Sequence, residues 1–255
     1  MGRFLYALKQ EADYEIISYE GGQKDNAITR EATCEILVAG EDVEAVKACA
    51  AKAEKGVREE YAGTDGSISV LITEEGHAET DVLHPTSREK VLFYLVQIPF
   101  GIQKMSGNIE GLVETSTNIG IVKLSDDEFF ARSSVRSSVE AARDALSDKI
   151  QYLTEFLGGE YEIQGAYPAW EYRKDSPLRD KMVSVYEEMY GQKPEVVAIH
   201  AGLECGLFYK KIEGLDCVSL GPDMKDIHTS EEVLDIASTE RVWNYLVKVL
   251  EQLKD

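Results

Sequence analysis

The stretch GLVETSTNIGIVKLSDDEFFARSSVRSS, residues 111–138, predicts two β-strands joined by the short polar turn SDDE. Apolar and polar residues alternate on both sides of the turn, which is the period of two expected of strands with one buried face. Two such runs separated by a few polar residues are typical of a β-hairpin. The segment therefore predicts an antiparallel sheet, and the elements around it determine the fold class.

Residues 14–172 predict further strands and helices on both sides of this hairpin. Strands are predicted at 14–20, 27–39, 67–76 and 160–172, and helices at 41–63, 84–100 and 137–159. In the second strand the residues Ile28, Ala32, Cys34, Ile36 and Val38 are expected on one face. Hairpin strands with helices returning across one face predict an α+β domain of the ferredoxin-like type. Residues 1–13 are predicted to be a helix that leads into it.

The pattern changes after residue 172. A helix is predicted to begin after Ser176, as its capping residue, with Pro177 in the first turn. The runs EVVAIH, residues 195–200, and DCVSLGP, residues 216–222, are apolar and predict strands buried on both faces. A helix follows each of them, so residues 173–255 predict part of an α/β domain.

Composition excludes several classes of partner. The chain has 255 residues and 47 acidic against 27 basic side chains, a formal net charge of −20. So acidic a surface repels phosphate backbones and anionic lipid, so neither nucleic acid nor a membrane is an expected partner. No apolar run is long enough to span a bilayer. The four cysteines are widely spaced, which indicates reduced thiols and a cytoplasmic protein.

Two histidines follow predicted buried strands, where α/β proteins gather ligands. His200 begins the run HAGLECG, in which Gly202, Glu204 and Cys205 follow, and this run resembles the rim of a site. His228 lies in a loop with several carboxylates, and it is either a metal ligand or a capping residue among solvated acids. No HExxH, GxSxG or glycine-rich nucleotide motif occurs, so the residues themselves predict no complete catalytic set.

Six stretches together resemble the aminoacyl-histidine dipeptidases, a family of lid-bearing dizinc metallopeptidases. The stretches are GGQKDNAITREA, VETSTNIGIVKL, VRSS, GAYPAWEY, IHAGLECGLF and SLGPDMKDIHTSEE. The resemblance implies a ferredoxin-like lid at 14–172 and the C-terminal part of the catalytic domain at 173–255. The family's HxD motif, bridging aspartate and Glu-Glu pair with its general base have no counterpart in this sequence.

The resemblance assigns roles to seven residues. His228 matches a zinc ligand, and Arg136 matches a lid arginine expected to bind the substrate carboxylate. Asn26, in NAIT where the family has NAIP, resembles an asparagine that holds the scissile carbonyl or the substrate tail. The other four assignments are Asn118 for a similar role, and His200, Gly202 and Glu204 at the amino end of the substrate.

The expected function is accordingly that of a fragment of a cytoplasmic dipeptidase. The resemblance implies hydrolysis of Xaa-His dipeptides by water activated on two zinc ions, within a homodimer. Most metal ligands and the general base are absent from this sequence, so the 255-residue chain is expected to be inactive alone. The alternative is a free-standing binding or dimerisation module without catalysis.

Overall fold

The computed structural model describes residues 1–125, 127–198, 204–227 and 229–254. The chain is of mixed α and β content and divides into two compact units. The first unit comprises Met1–Gln103, Ser116–Val135 and Asp144–Glu162, and the second comprises Lys104–Thr115, Arg136–Arg143 and Ile163–Asp255. None of the helices in the described ranges is long and apolar enough to cross a membrane.

The described helices and strands follow one another in this order: α1 Gly2–Leu8, β1 Tyr14–Gly21, β2 Ala32–Val38, α2 Val43–Glu60, α3 Pro85–Gln97, β3 Gly101–Met105, β4 Val113–Leu124, β5 Phe129–Ser137, α4 Glu140–Phe156, α5 Pro177–Tyr190, α6 Glu204–Lys211, β6 Met224–Lys225, β7 Val233–Leu234 and α7 Ile236–Gln252. Strands β1 to β5 form one sheet in the order β2-β1-β4-β3, with β5 also paired to β4. Strands β6 and β7 form a separate antiparallel pair.

The predicted hairpin is confirmed as β4 and β5. Ser125 N donates to Glu128 O at 2.9 Å and closes the connection between them, while Asp126 lies outside the described residues. The C-terminal end of β4 pairs antiparallel with β1, where Tyr19 faces Leu124 and Gly21 faces Val122. The quoted segment therefore supplies the central strand of the sheet.

A β-bulge in β1 decides which of its side chains enter the core. The register with β2 shifts between Ile16 and Ser18, so one extra residue is accommodated there. Strict alternation would place Ile16 and Tyr19 on opposite faces, yet both are buried in the same cluster as Leu5. The bulge thus keeps the large buried side chains of β1, namely Tyr14, Ile16 and Tyr19, on the core side.

Each unit has its own apolar core. In the first unit, the buried residues Leu5 and Leu8 of α1 pack with β1, α2 and α3, and a second cluster joins Tyr94 and Ile98 to Ile150 of α4. In the second unit, Val185 of α5 is fully buried against Tyr245 and Val249 of α7. Residues 1–13 therefore contribute core side chains to the first unit.

Four strand predictions are wrong over the residues that the structure describes. Residues 67–76, 160–172, 195–198 and 216–222 are not in strands, and β2 begins at Ala32 rather than at residue 27. Ile28 is 76% exposed, and Val196 and Val197 are 45% and 67% exposed. A strand needs a neighbour for its backbone N–H and C=O groups, and an apolar pattern does not supply that neighbour.

Segment 67–74 forms its hydrogen bonds and an ion pair with side chains of α2 instead of with a neighbouring strand. Glu54 Oε2 accepts from Val70 N at 2.7 Å, and Arg58 Nε donates to Ile68 O at 2.6 Å. Lys47 forms an ion pair with Glu74 at the other end of the segment. Two local features are not among the predictions: strand β3, and the cap of α3, where the His84 side chain accepts from Thr86 N.

The predicted cap of α5 is confirmed and carries a second interaction. Ser176 Oγ accepts from Arg179 N at 3.1 Å and donates to Asp216 Oδ1 at 2.7 Å. Asp216 Oδ2 also accepts from Leu178 N at 2.9 Å. Asp216 therefore ties residues 215–218 to the start of α5, at the positive end of its helix dipole.

We expect Asp216→Ala to lower the free energy of unfolding by about 1–3 kcal/mol at pH 7, because the buried Ser176 hydroxyl and the half-buried Leu178 N–H lose a charged acceptor. Burial of Asp216 raises its pKa, but the hydrogen bonds from Ser176 and Leu178 outweigh this, so the pKa lies below the usual range of an aspartate. The contribution is present above the pKa of an aspartate in the unfolded chain and is lost as the pH falls through the lower folded pKa. Urea titrations from pH 7 down to pH 3 should therefore show the two proteins converging; a constant difference would contradict this account. The exposed Asp180→Ala in α5 is the control.

Candidate functional site

Asn26 lies at the tip of the loop that joins β1 to β2, residues 22–31, which we call the Asn26 loop. The base of the loop is closed by Gly22 N donating to Glu31 O at 3.3 Å, and its tip by Ala27 N donating to Lys24 O at 3.3 Å. Asn26 itself is exposed. The loop is thus an ordered turn that presents an amide side chain outward.

Polar side chains fix the Asn26 loop to strand β4. Asn118 Nδ2 donates to Ala27 O at 2.7 Å, and Thr29 Oγ1 donates to Ile119 O at 2.7 Å. Both bonds join the loop to the middle of β4, 91 and 90 residues further along the chain. The Asn118 amide, predicted to contact substrate, therefore holds the backbone of Ala27, the residue that follows Asn26.

Two glycines permit this close approach. Gly22 has φ +75°, and a Cβ atom there would lie 1.9 Å from Gly120 O. A Cβ atom on Gly120 would lie 2.4 Å from Lys24 O and 2.5 Å from Asp25 O. A glycine inside a strand is the sequence signal for such an approach, and it identifies Gly120 as a residue that the sequence analysis missed.

A basic side chain also lies near the tip of the loop. The Arg132 guanidinium on β5 is 3.9 Å from Asp25 Oδ2, and its Cζ lies 5.5 Å from the centre of the Phe130 ring. Both partners of the ion pair are about half exposed, at 42% and 54%, so it adds little stability. Arg132 thus brings a guanidinium to Asp25, the residue before Asn26, a contact that the sequence analysis did not predict.

Arg136 lies one residue before the end of β5 and is half-buried. Its strand end is fixed to β4, because Ser137 Oγ lies 2.9 Å from Thr115 Oγ1 and Ser138 N donates to Glu114 O at 3.0 Å. The Glu114 side chain is buried, and Lys104 Nζ lies 2.7 Å from its Oε1. Arg136 belongs to the second unit and Asn26 to the first.

Glu204 is the first residue of α6 and is exposed. Helix α6 closely approaches the backbone of Pro168 at Gly206, where a Cβ atom would lie 2.8 Å from Pro168 O. Its last turn forms an ion pair, with Lys210 Nζ 2.8 Å from Glu140 Oε1. Arg143 joins the same group of charges, 3.2 Å from Glu140. His200 and Gly202, the other predicted residues of this run, lie outside the described residues.

His228 also lies outside the described residues, in the connection between β6 and β7. The residues around it are described: Asp226 has φ +51° and its carbonyl accepts from Thr229 Oγ1 at 2.6 Å. The Asp223 carboxylate pairs with Arg241 at 3.1 Å. Within the four described ranges, no three His, Cys, Asp or Glu side chains are grouped so that they could hold a metal ion.

Two solved structures share the mixed α/β arrangement of this chain. Aminoacylhistidine dipeptidase from Vibrio alginolyticus superposes with a TM-score of 0.90 at 31% identity, covering 98% of this chain and 51% of that one. Aminopeptidase PepT from Bacillus cereus superposes with a TM-score of 0.52 at 15% identity, over 66% of this chain and 46% of that chain, and supports the fold alone.

The chain belongs to peptidase family M20/M25/M40, whose sequence pattern matches residues 7–252. It is 30% identical over 251 residues to the cytosol non-specific dipeptidase of Escherichia coli, a match that covers 98% of this chain and 52% of that protein. The chain thus spans about half the length of the relatives it matches. The predicted resemblance to the aminoacyl-histidine dipeptidases is confirmed.

Proposed function

We propose that this chain forms the lid and part of the catalytic domain of a cytoplasmic zinc-dependent dipeptidase that hydrolyses Xaa-His-type dipeptides. The observation that carries the proposal is the similarity to dipeptidases over 98% of the chain, at 30% and 31% identity. In this proposal residues 14–172 are a ferredoxin-like lid, and residues 173–255 belong to the catalytic domain. The working protein is a homodimer.

The described contacts support a substrate-binding role for Asn26. A side chain that orients a carbonyl oxygen must be held in place before substrate arrives, since ordering it during binding costs affinity. The two hydrogen bonds to β4 and the Gly22–Gly120 contact hold the loop, while the Asn26 amide remains exposed. In the proposal Asn26 donates to the scissile carbonyl or the substrate tail, and Asn118 positions it.

The ends of a dipeptide carry opposite charges, and the proposal assigns one group to each. Arg136 binds the carboxylate, for which a planar guanidinium offers two parallel donors. Glu204, exposed in the first turn of α6, binds the free ammonium group, together with His200 and Gly202. A carboxylate in that position favours short substrates with a free amino end.

The proposal includes two zinc ions, with His228 as one ligand. When bound, such a pair supplies a metal-activated water that attacks the peptide carbonyl. The carboxylates next to His228 do not complete a site among the described residues, since Asp223 pairs with Arg241 and Asp235 Oδ1 accepts from Ser238 N at 2.6 Å in the α7 cap. The remaining ligands and the general base come, in the proposal, from the part of the relatives that this chain does not span.

Zinc titration of the 255-residue chain by calorimetry, beside His228→Ala, tests this assignment. We expect weak binding that His228→Ala removes, and no hydrolysis of an Xaa-His dipeptide by the zinc-loaded chain. His77→Ala, which changes an exposed histidine, is the matched control and should bind zinc as the wild type does. Tight stoichiometric binding with turnover would contradict the half-site. Binding unchanged in His228→Ala, with no binding of dipeptide, would favour a module without catalysis.

A further inference from the structure

Cys205 and Cys217 form a close pair of free thiols in the second unit. Cys217 Sγ donates to the carbonyl oxygen of Cys205 at 3.9 Å, and Cys205 is near enough to contribute to the raised pKa of the Cys217 thiol. Both residues are free and half-buried, so a small solute can reach them. Neither cysteine has a role in the proposed hydrolysis.

Independent anchors hold the two cysteines in this arrangement. Cys205 lies in the first turn of α6, where the next residue, Gly206, packs against the backbone of Pro168. Cys217 follows Asp216, whose carboxylate accepts hydrogen bonds from Ser176 and Leu178 at the start of α5. Neither anchor involves the thiols, so the pair is held close before any bond forms. Folding has therefore already removed most of the chain entropy that forming the cross-link would otherwise cost.

We propose that Cys205 and Cys217 are a site of reversible oxidation that forms an intramolecular disulfide. Hydrogen peroxide, the oxidant, converts one thiol to a sulfenic acid and releases one water. The other thiol attacks the sulfenic sulfur, an S–S bond forms, and the oxygen leaves as a second water. A small dithiol reductant reverses the reaction by exchange.

The cross-link joins the first turn of α6 to the segment at 215–218, and it encloses the eleven residues between the two cysteines. Glu204 directly precedes Cys205, so oxidation also fixes the turn that carries the proposed ligand of the substrate ammonium group. This consequence rests on the proposed function, whereas the disulfide itself does not. A test of the disulfide therefore needs no measurement of peptidase activity.

The other two cysteines are internal controls. Burial raises the pKa of Cys34 to about 12, and burial also raises the pKa of Cys49, so both remain protonated near neutral pH. Burial and the neighbouring Cys205 raise the pKa of Cys217 as well. The cross-link should consequently form faster at pH 9 than at pH 7, because attack on the sulfenic sulfur requires the thiolate.

The experiment treats the 255-residue chain with hydrogen peroxide, blocks remaining thiols with N-ethylmaleimide and maps the unreduced tryptic peptides by mass spectrometry. Trypsin separates the two cysteines because it cleaves after Lys210 and Lys211, so a disulfide appears as two linked peptides. We expect this link in most of the protein, with Cys34 and Cys49 still alkylated. Formation should be at least about tenfold faster in the folded chain than in urea, as preorganisation requires.

Two variants make the outcome decisive. Cys217→Ser should leave a sulfenic acid at Cys205 that dimedone traps, whereas Cys34→Ser should form the link at the wild-type rate. Circular dichroism of both variants verifies folding. Links that mainly involve Cys34 or Cys49, links that join two chains, or equal rates in folded and unfolded protein would overturn the proposal.

Discussion

Replacing Gly22 with alanine is expected to lower the free energy of unfolding of the first unit by about 3–4 kcal/mol, one of the largest effects of a single methyl group on this chain. Two costs combine. Gly22 has φ +75°, a left-handed conformation that costs an alanine about 1–2 kcal/mol. The new Cβ would also lie 1.9 Å from Gly120 O, so the loop and β4 must separate.

Urea denaturation followed by circular dichroism measures this effect. Gly56→Ala is the matched control, because Gly56 lies in the interior of α2 and nothing is within 4 Å of a Cβ atom there. That variant should gain about 0.5–1 kcal/mol from helix propensity. If Gly22→Ala were as stable as the wild type, the close contact between the Asn26 loop and β4 would be disproved.

Replacing Leu5 with alanine is expected to cost about 3–4 kcal/mol, within the range for truncating a fully buried leucine. Leu5 has 0% exposure in the core formed by α1, β1, α2 and α3. Its carbonyl also accepts a hydrogen bond from Tyr14 OH at 2.8 Å, which ties α1 to β1. The substitution leaves that bond in place, so the loss measures packing alone.

Tyr6→Ala is the control for Leu5→Ala, since Tyr6 lies on the same helix and is 53% exposed. Its replacement should change stability by less than about 0.5 kcal/mol. Thermal or urea unfolding monitored by circular dichroism measures the two variants side by side. If Leu5→Ala lowered the free energy of unfolding as little as Tyr6→Ala, helix α1 would not be packed into the core, and the burial of Leu5 and Leu8 would be contradicted.

The amide and backbone contacts of the candidate site illustrate what local patterns leave undetermined. The motif that contains Asn26 is visible in the sequence, but the support for its loop comes from Asn118, Ile119 and Gly120, about 90 residues away. The two segments come together only through the pairing of β1 with β4, and no local sequence pattern predicts that pairing. The same holds for the thiol pair, which depends on separate anchors of α6 and Asp216.

The sequence by itself determined the helices and the central hairpin of this protein. Periodic apolar positions, the cap at Ser176 and the turn at 125–128 act through neighbours along the chain, and all were correctly predicted. Tertiary structure alone decided which apolar runs became strands. Segments 67–74 and 195–198 have strand-like composition, but a strand exists only where another strand receives its hydrogen bonds.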